Sequence, residues 1–266
     1  MSDRAVRASV EAGIRRIPVR QGIPRDRRWL ACLQTKGRHF MAEIVLVHGS
    51  WADGSVWLDV LEALHRQGHQ ARAVHLPMTS LADDIAEVRR EIAAFSGPVV
   101  LAAHSYGGAV ISGAAKDNPR VNALAYFAAY VPDEGETVPS LNERFPDSPG
   151  DDAMVFHEDG WSSLAPDRFH YALAADLTPE RAAALAAVQR RARAECFLAP
   201  AGPGAWRDLP TAYAVSTEDR ILNPDLQRWF AERAGADCVE LAASHYSLLS
   251  QPEAVATVID KVAARA

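Results

Sequence analysis

Short apolar runs alternate with amphipathic helical patterns from Met41 onward, and no other feature limits the fold of this chain as strongly. "EIVLV" (43–47), "ARAVHL" (71–76), "PVVLAA" (98–103), "NALAYFAAYV" (122–131), "TAYAVS" (211–216) and "CVELA" (238–242) read as six strands, mostly too apolar to leave a wet face. Helical spacing lies between them. Val56, Val60, Leu61 and Leu64 fall on one side of a helix capped by Ser55 and running through Gln67. Leu81, Ile85, Val88, Ile92 and Phe95 do so in a helix opened by Ser80. A further helix follows Ser105 and stops at Asn118-Pro119, and two more run from Pro224 to Arg233 and from Pro252 to Ala264. Strands apolar on both faces and separated by helices predict an α/β fold, a mainly parallel six-stranded sheet covered on both sides. Such sheets bind ligands beyond the carboxyl ends of their strands.

One interval breaks the alternation. Residues 133–208 separate the fourth and fifth strands by far more than a crossover needs, which predicts a cap insertion over the active end of the sheet. It holds an irregular stretch (132–160) and a helical run, "TPERAAALAAVQRRARAECFL", opened by Thr178-Pro179-Glu180.

The charge is uneven. Residues 1–40 carry nine Arg and one Lys against Asp3, Glu11 and Asp26, a net of +7, so the −6 of the whole chain leaves −13 on residues 41–266. With no clear helical or strand period, residues 1–40 read as a basic, disordered extension, or as sequence ahead of a true start at Met41. A targeting peptide fits less well, because the apolar core of a secretory signal is missing. Aromatic interleaving for nucleic acid is missing too, and the acidic remainder argues against a nucleic-acid partner. The functional domain is therefore 41–266. No run approaches the ~20 apolar residues of a membrane span, so no membrane association is expected. Three separated cysteines (Cys32, Cys196, Cys238) match no metal-ligand spacing and favour reduced thiols in the cytoplasm, with Cys238 a buried small hydrophobe.

Chemistry concentrates at the strand ends. In "VVLAAHSYGGAV" (99–110) an apolar strand runs into His104-Ser105-Tyr106-Gly107-Gly108 and then a helix. A nucleophile elbow turns this sharply so that its central residue takes strained angles and exposes its side chain, and small residues are needed two positions either side. Here they are Ala103 and Gly107; Ala103 stands where Gly is usual. His48-Gly49-Ser50-Trp51 ends the first strand, where the N–H groups of Ser50 and Tyr106 could converge as an oxyanion hole. His48 reads as structural, fixing that loop. Asp219 follows the fifth strand, with Glu218 beside it as the alternative acid, and His245 follows the sixth. The order Ser105, Asp219, His245 is that of an α/β-hydrolase triad. His69, His75, His157 and His170 have no partner legible in the sequence.

With these residues in hand, the chain from Met41 resembles the α/β-hydrolase superfamily. "LVHGSWADGSVW", "AAHSYGG", "STEDRILNPDLQRWF" and "SHYSLLSQPEAV" are similar to the compact branch of plant methyl-ester hydrolases and hydroxynitrile lyases, with bacterial esterase relatives. The resemblance implies a serine hydrolase for small to medium apolar carboxylic esters, working through Ser105, His245 and Asp219 and an acyl-enzyme, without cofactor or metal. Gly49, Trp51 and Tyr246 would line its substrate pocket. The lyases of this branch carry Lys after the histidine and Thr at the Gly49 position; Tyr246 and Gly49 here favour hydrolysis. The alternatives on the same scaffold are a lyase, cyclase or acyl transferase, or a receptor-like ligand-binding module. The expected partner is a small-molecule ester, and a homodimer is compatible with the sequence.

Overall fold

The computed structural model describes residues 41–266 and the two-residue strand Ile14–Arg15. The expectation for the rest of 1–40 lies outside the described residues. Ile14–Arg15 (β1) is an addition to the six expected strands, pairing antiparallel with Asp237–Leu241 (β10) at a sheet edge. The other six are all present. Glu43–Val47 (β2), Gln70–Ala73 (β3), Val99–His104 (β4), Val121–Phe127 (β5), Thr211–Ser216 (β9) and β10 run parallel, in the order β1-β10-β9-β5-β4-β2-β3. Every residue of β4 and β9 is buried, as their unbroken apolar runs require.

Helices cover both faces. Gly107–Ala115 (α3) lies on β2, β4 and β5 and packs against Leu81–Ala93 (α2); the last helix, Pro252–Ala263, lies on β5 and β9 and packs against Leu58–Arg66 (α1). Ser80 caps α2 as expected, accepting from the Asp83 N–H. Ser55 does not cap α1. A 3₁₀ turn, Gly54–Trp57, precedes that helix, and the Asp53 carboxylate caps the turn by accepting from the Ser55 N–H at 2.8 Å.

Two expected strands are shorter than their apolar runs. β3 ends at Ala73 because the following backbone is used elsewhere: the Leu76 N–H donates to His48 Nε2 at 3.0 Å. β5 ends at Phe127, where Ala128 turns with φ 42°. Cys238, expected to be buried, is half-buried near the sheet edge, and burial together with the Glu240 charge still pushes its thiol up to about 11.

The insertion between β5 and β9 is more structured than its sequence suggests. Val138–Asn142 (α4) leads to a small antiparallel sheet of Met154–Phe156 (β6), Trp161–Leu164 (β7) and Ala192–Arg193 (β8), with Pro166–Leu173 (α5) and Pro179–Val188 (α6) between β7 and β8. The expected single helical run from Thr178 to Leu198 is broken. Thr178 caps α6, but that helix stops at Val188, and only Glu195–Leu198 (α7) is helical beyond it. Gln189 explains the break: its side-chain amide bonds both the N–H and the C=O of Leu164, drawing the chain into the cap sheet.

Candidate active site

At the carboxyl end of β4 the chain turns into α3 through Ser105, whose φ is +55°. That left-handed geometry costs a non-glycine residue of the order of 1–3 kcal/mol, and its surroundings hold it there. The Ser105 N–H donates to Phe127 O at 3.2 Å, and Ser105 O accepts from the N–H groups of Tyr130 (3.1 Å) and Gly108 (3.0 Å). Close approach is built in as well. A Cβ on Gly107 would stand 2.6 Å from His48 O, and one on Gly49 would stand 2.6 Å from Ser105 Cβ. The loop after β2 therefore lies directly against the elbow.

That loop is set by His48, which is fully buried. Its Nδ1–H donates to Gly49 O at 2.7 Å, and its Nε2 accepts from the Leu76 N–H, which fixes the neutral tautomer. Burial, reinforced by the Arg190 charge and partly offset by the Gly49 bond, lowers its pKa to about 4. With Gly49 O turned toward the imidazole, the trans peptide sends the Ser50 N–H the opposite way. Among the described residues neither the Ser50 nor the Tyr106 N–H donates a hydrogen bond within the protein, although both residues are buried. Among the described residues these two N–H groups are without a partner, one next to Ser105 in the chain and one on the loop packed against it.

Asp219 and His245 meet. His245 Nδ1–H donates to Asp219 Oδ2 at 2.6 Å, and both residues are buried. The other carboxylate oxygen accepts from the N–H groups of Ile221 (2.9 Å) and Leu222 (3.0 Å), while Gln227 Nε2 donates to Oδ2 at 2.8 Å. Glu218 makes no such contact with His245 among the described residues. The residue before Ser105 touches the same histidine: His104 Nε2–H donates to His245 O at 2.9 Å, and their rings lie 4.4 Å apart. The hydrogen bonds of the described residues include none between Ser105 and His245. In unliganded enzymes such bonds are often long or poorly aligned and tighten when substrate binds.

The residues expected to line the pocket are more enclosed than that role suggests. Trp51 is buried with φ +59°, and its Nε1–H donates to Ser162 Oγ of the cap at 3.1 Å. Tyr246 is buried, stacked on His104 at 5.3 Å and set against Phe169 at 6.2 Å. Ser105 itself is half-buried. Cap residues clasp both loops behind the triad candidates. The Tyr246 N–H and the Ser244 hydroxyl donate to Leu173 O, the Ser244 N–H donates to Asp176, and the Gly150 N–H donates to Arg220 O.

Sequence reading missed Gln227, Asp84 and the cap's contacts. The first two are wholly buried, and their one trace in the sequence, a polar residue within the apolar stripe of a helix, reads equally as a surface position. The cap contacts left none.

A strained serine on a strand-to-helix elbow, two idle N–H groups beside it and a histidine–carboxylate pair at one end of a parallel sheet define the α/β-hydrolase class. The chain belongs to the alpha/beta hydrolase family, whose sequence signature matches residues 44–258. It is similar to "Probable hydrolase R7" of Phoma sp., 27% identical over 241 residues that span 83% of this chain and 97% of the relative. It is 27% identical over 258 residues to polyneuridine aldehyde esterase of Rauvolfia serpentina, spanning 82% of this chain and 92% of that protein. Among solved structures, a pyrethroid hydrolase from Sphingobium faniae superposes with a TM-score of 0.72 at 22% identity, covering 84% of this chain and 98% of that one. The likeness to a plant ester hydrolase agrees with the resemblance carried by the four motifs.

Proposed function

We propose that the protein hydrolyses carboxylic esters of small to medium apolar substrates, with Ser105 as nucleophile, His245 as general base and acid, and Asp219 as its orienting carboxylate. The observation that carries the proposal is the 2.6 Å bond from His245 to Asp219 at the same sheet end as the left-handed Ser105. With Nδ1 committed as a donor, a neutral His245 leaves Nε2 as an acceptor for the serine proton. Ser105 Oγ then attacks the ester carbonyl while His245 takes its proton. The N–H groups of Ser50 and Tyr106 receive the oxyanion, each worth roughly 3–4 kcal/mol in comparable sites. His245 returns the proton to the departing alcohol, then activates water to release the acid from the acyl-enzyme.

The relatives support hydrolysis as the reaction: one is called polyneuridine aldehyde esterase, and the superposing structure is that of a pyrethroid hydrolase. A panel of p-nitrophenyl and methyl esters of graded size tests the proposal. Turnover that disappears in Ser105→Ala supports it. Turnover that survives the substitution, or acyl transfer to an added alcohol in place of water, would overturn it.

A further inference from the structure

Asp84 is wholly buried on the apolar stripe in the first turn of α2, between Leu81 and Val88. An ionised carboxylate there is tolerated only if donors surround it. Three do, from three separate parts of the chain. The Met78 N–H donates to Oδ1 at 2.8 Å, and the Tyr106 hydroxyl donates to Oδ2 at 2.8 Å. The Cys196 thiol, on α7 of the cap, donates to Oδ2 at 3.7 Å. The same cap segment reaches back to Met78, whose carbonyl accepts from the Arg193 N–H at 3.0 Å.

The next cap residue, Phe197, packs edge-on against Tyr106 (5.7 Å) and at a tilt against Trp51 (5.9 Å), which follows Ser50. Each of the two idle N–H groups at the elbow thus belongs to, or directly precedes, a residue whose side chain rests on Phe197. Tyr106 is gripped at both ends, by its backbone in the elbow turn and by its phenol on the carboxylate. Burial, together with the neighbouring Asp84 charge, holds its hydroxyl well above the usual phenol range, so it remains a donor to Asp84.

We propose that Asp84 is a positioning residue: by holding the Tyr106 hydroxyl and the Cys196 thiol on one carboxylate, it fixes the Tyr106 N–H of the oxyanion site in register with the seated cap. This rests on the ester-hydrolase reading. An oxyanion donor acts only when it lies about 2.7–3.1 Å from the developing charge, so a loosened Tyr106 should weaken transition-state binding and leave ester binding little changed.

The test compares Tyr106→Phe, Asp84→Asn and the double variant with the unmodified protein and with Ser105→Ala. Rates are expressed per active site by phosphonate titration, and melting is followed alongside. The second readout is inhibition by a trifluoromethyl ketone matched to the best ester, whose serine adduct places an oxyanion against the N–H donors. Tyr106→Phe should lower kcat about tenfold with KM changed less than about twofold, and the ketone Ki should rise in step with the loss of kcat/KM. The double variant should fall within about twofold of the worse single variant, because both break the same link. A kcat per active site and a ketone Ki that are unchanged in a folded Tyr106→Phe would overturn the proposal. So would a loss confined to the titrated fraction of active sites. If Asp84→Asn does not fold, Cys196→Ala takes its place, with a smaller rise in Ki expected and an unchanged Ki counting against the link to the cap. Activity surviving Ser105→Ala would overturn the hydrolase reading itself; activity lost there but unaffected in Tyr106→Phe overturns only the role of Asp84.

Discussion

Asp219 divides its carboxylate between two tasks: Oδ2 accepts the Nδ1–H of His245 at 2.6 Å, and Oδ1 accepts the backbone N–H groups of Ile221 and Leu222. The second task holds the first in place. Asp219→Asn keeps the volume but offers an amide where an acceptor is needed, so His245 is favoured in the wrong tautomer. The expected result is a fall in kcat of roughly 10³–10⁴-fold with a smaller change in KM, measured by steady-state hydrolysis of the best ester. A loss below tenfold would remove Asp219 from the proposed triad.

Gln227 is wholly buried and uses both ends of its amide. Oε1 accepts from the Ser216 N–H at 2.9 Å, while Nε2 donates to Asp219 Oδ2 and to Leu222 O, each at 2.8 Å. Gln227→Leu leaves the Ser216 N–H and the Leu222 carbonyl unpaired, at about 2–3 kcal/mol in total. Urea unfolding should show this as a lower midpoint with an unchanged slope. Activity should drop as well, because the Asp219 carboxylate loses a brace.

Gly49 allows the loop after β2 to lie on the elbow. A methyl group there would stand 2.6 Å from Ser105 Cβ and 3.1 Å from His104 Nδ1. Gly49→Ala must push loop and elbow apart, with a strain of about 1–3 kcal/mol. Since the displaced atoms include Ser105 and the peptide bearing the Ser50 N–H, kcat should fall by about a hundredfold. Wild-type rates in a folded Gly49→Ala protein would show that the loop takes no part in catalysis.

Acid should destabilise the fold through His48. Its folded pKa is lowered to about 4 against an ordinary 6.5. Above pH 6.5 the ring is neutral whether folded or unfolded, and no penalty arises. Between 6.5 and 4 the unfolded chain binds a proton that the folded one refuses, so stability falls as pH falls, by about 1.4 kcal/mol per unit and about 3 kcal/mol in all. His104 acts in the same direction, because burial and the neighbouring His245 hold its pKa well below the ordinary value. His48→Asn should reduce the slope of unfolding free energy against pH by about one proton over this window. An unchanged slope would mean that another group is responsible.

Much of the site was legible because its chemistry lies at strand ends, and strand ends can be read from apolar runs. Ser105 follows β4, Asp219 follows β9 and His245 follows β10, each within a few residues of the last ladder position. Asp84 was hidden by its own helix. A carboxylate in an apolar stripe reads as a surface residue at its edge until Tyr106 and Cys196, 22 and 112 residues away, are brought to it. The helical run from 178 to 198 shows the opposite effect. Alanine-rich propensity favours one helix, but Gln189 finds both backbone groups of Leu164, and propensities of a few tenths of a kcal/mol per residue do not outweigh those bonds.

The sequence by itself determined the alternation of strand and helix, the parallel sheet and the elbow around Ser105, since these depend on local period, on small residues and on burial along the chain. The tertiary structure alone decided how the cap folds, which carboxylate meets His245, and that Trp51, Tyr106 and the loops behind Asp219 and His245 are all gripped from above. Those choices are contacts between residues far apart in the chain. Their free energy depends on geometry that exists only once the sheet has formed and the insertion has closed over it.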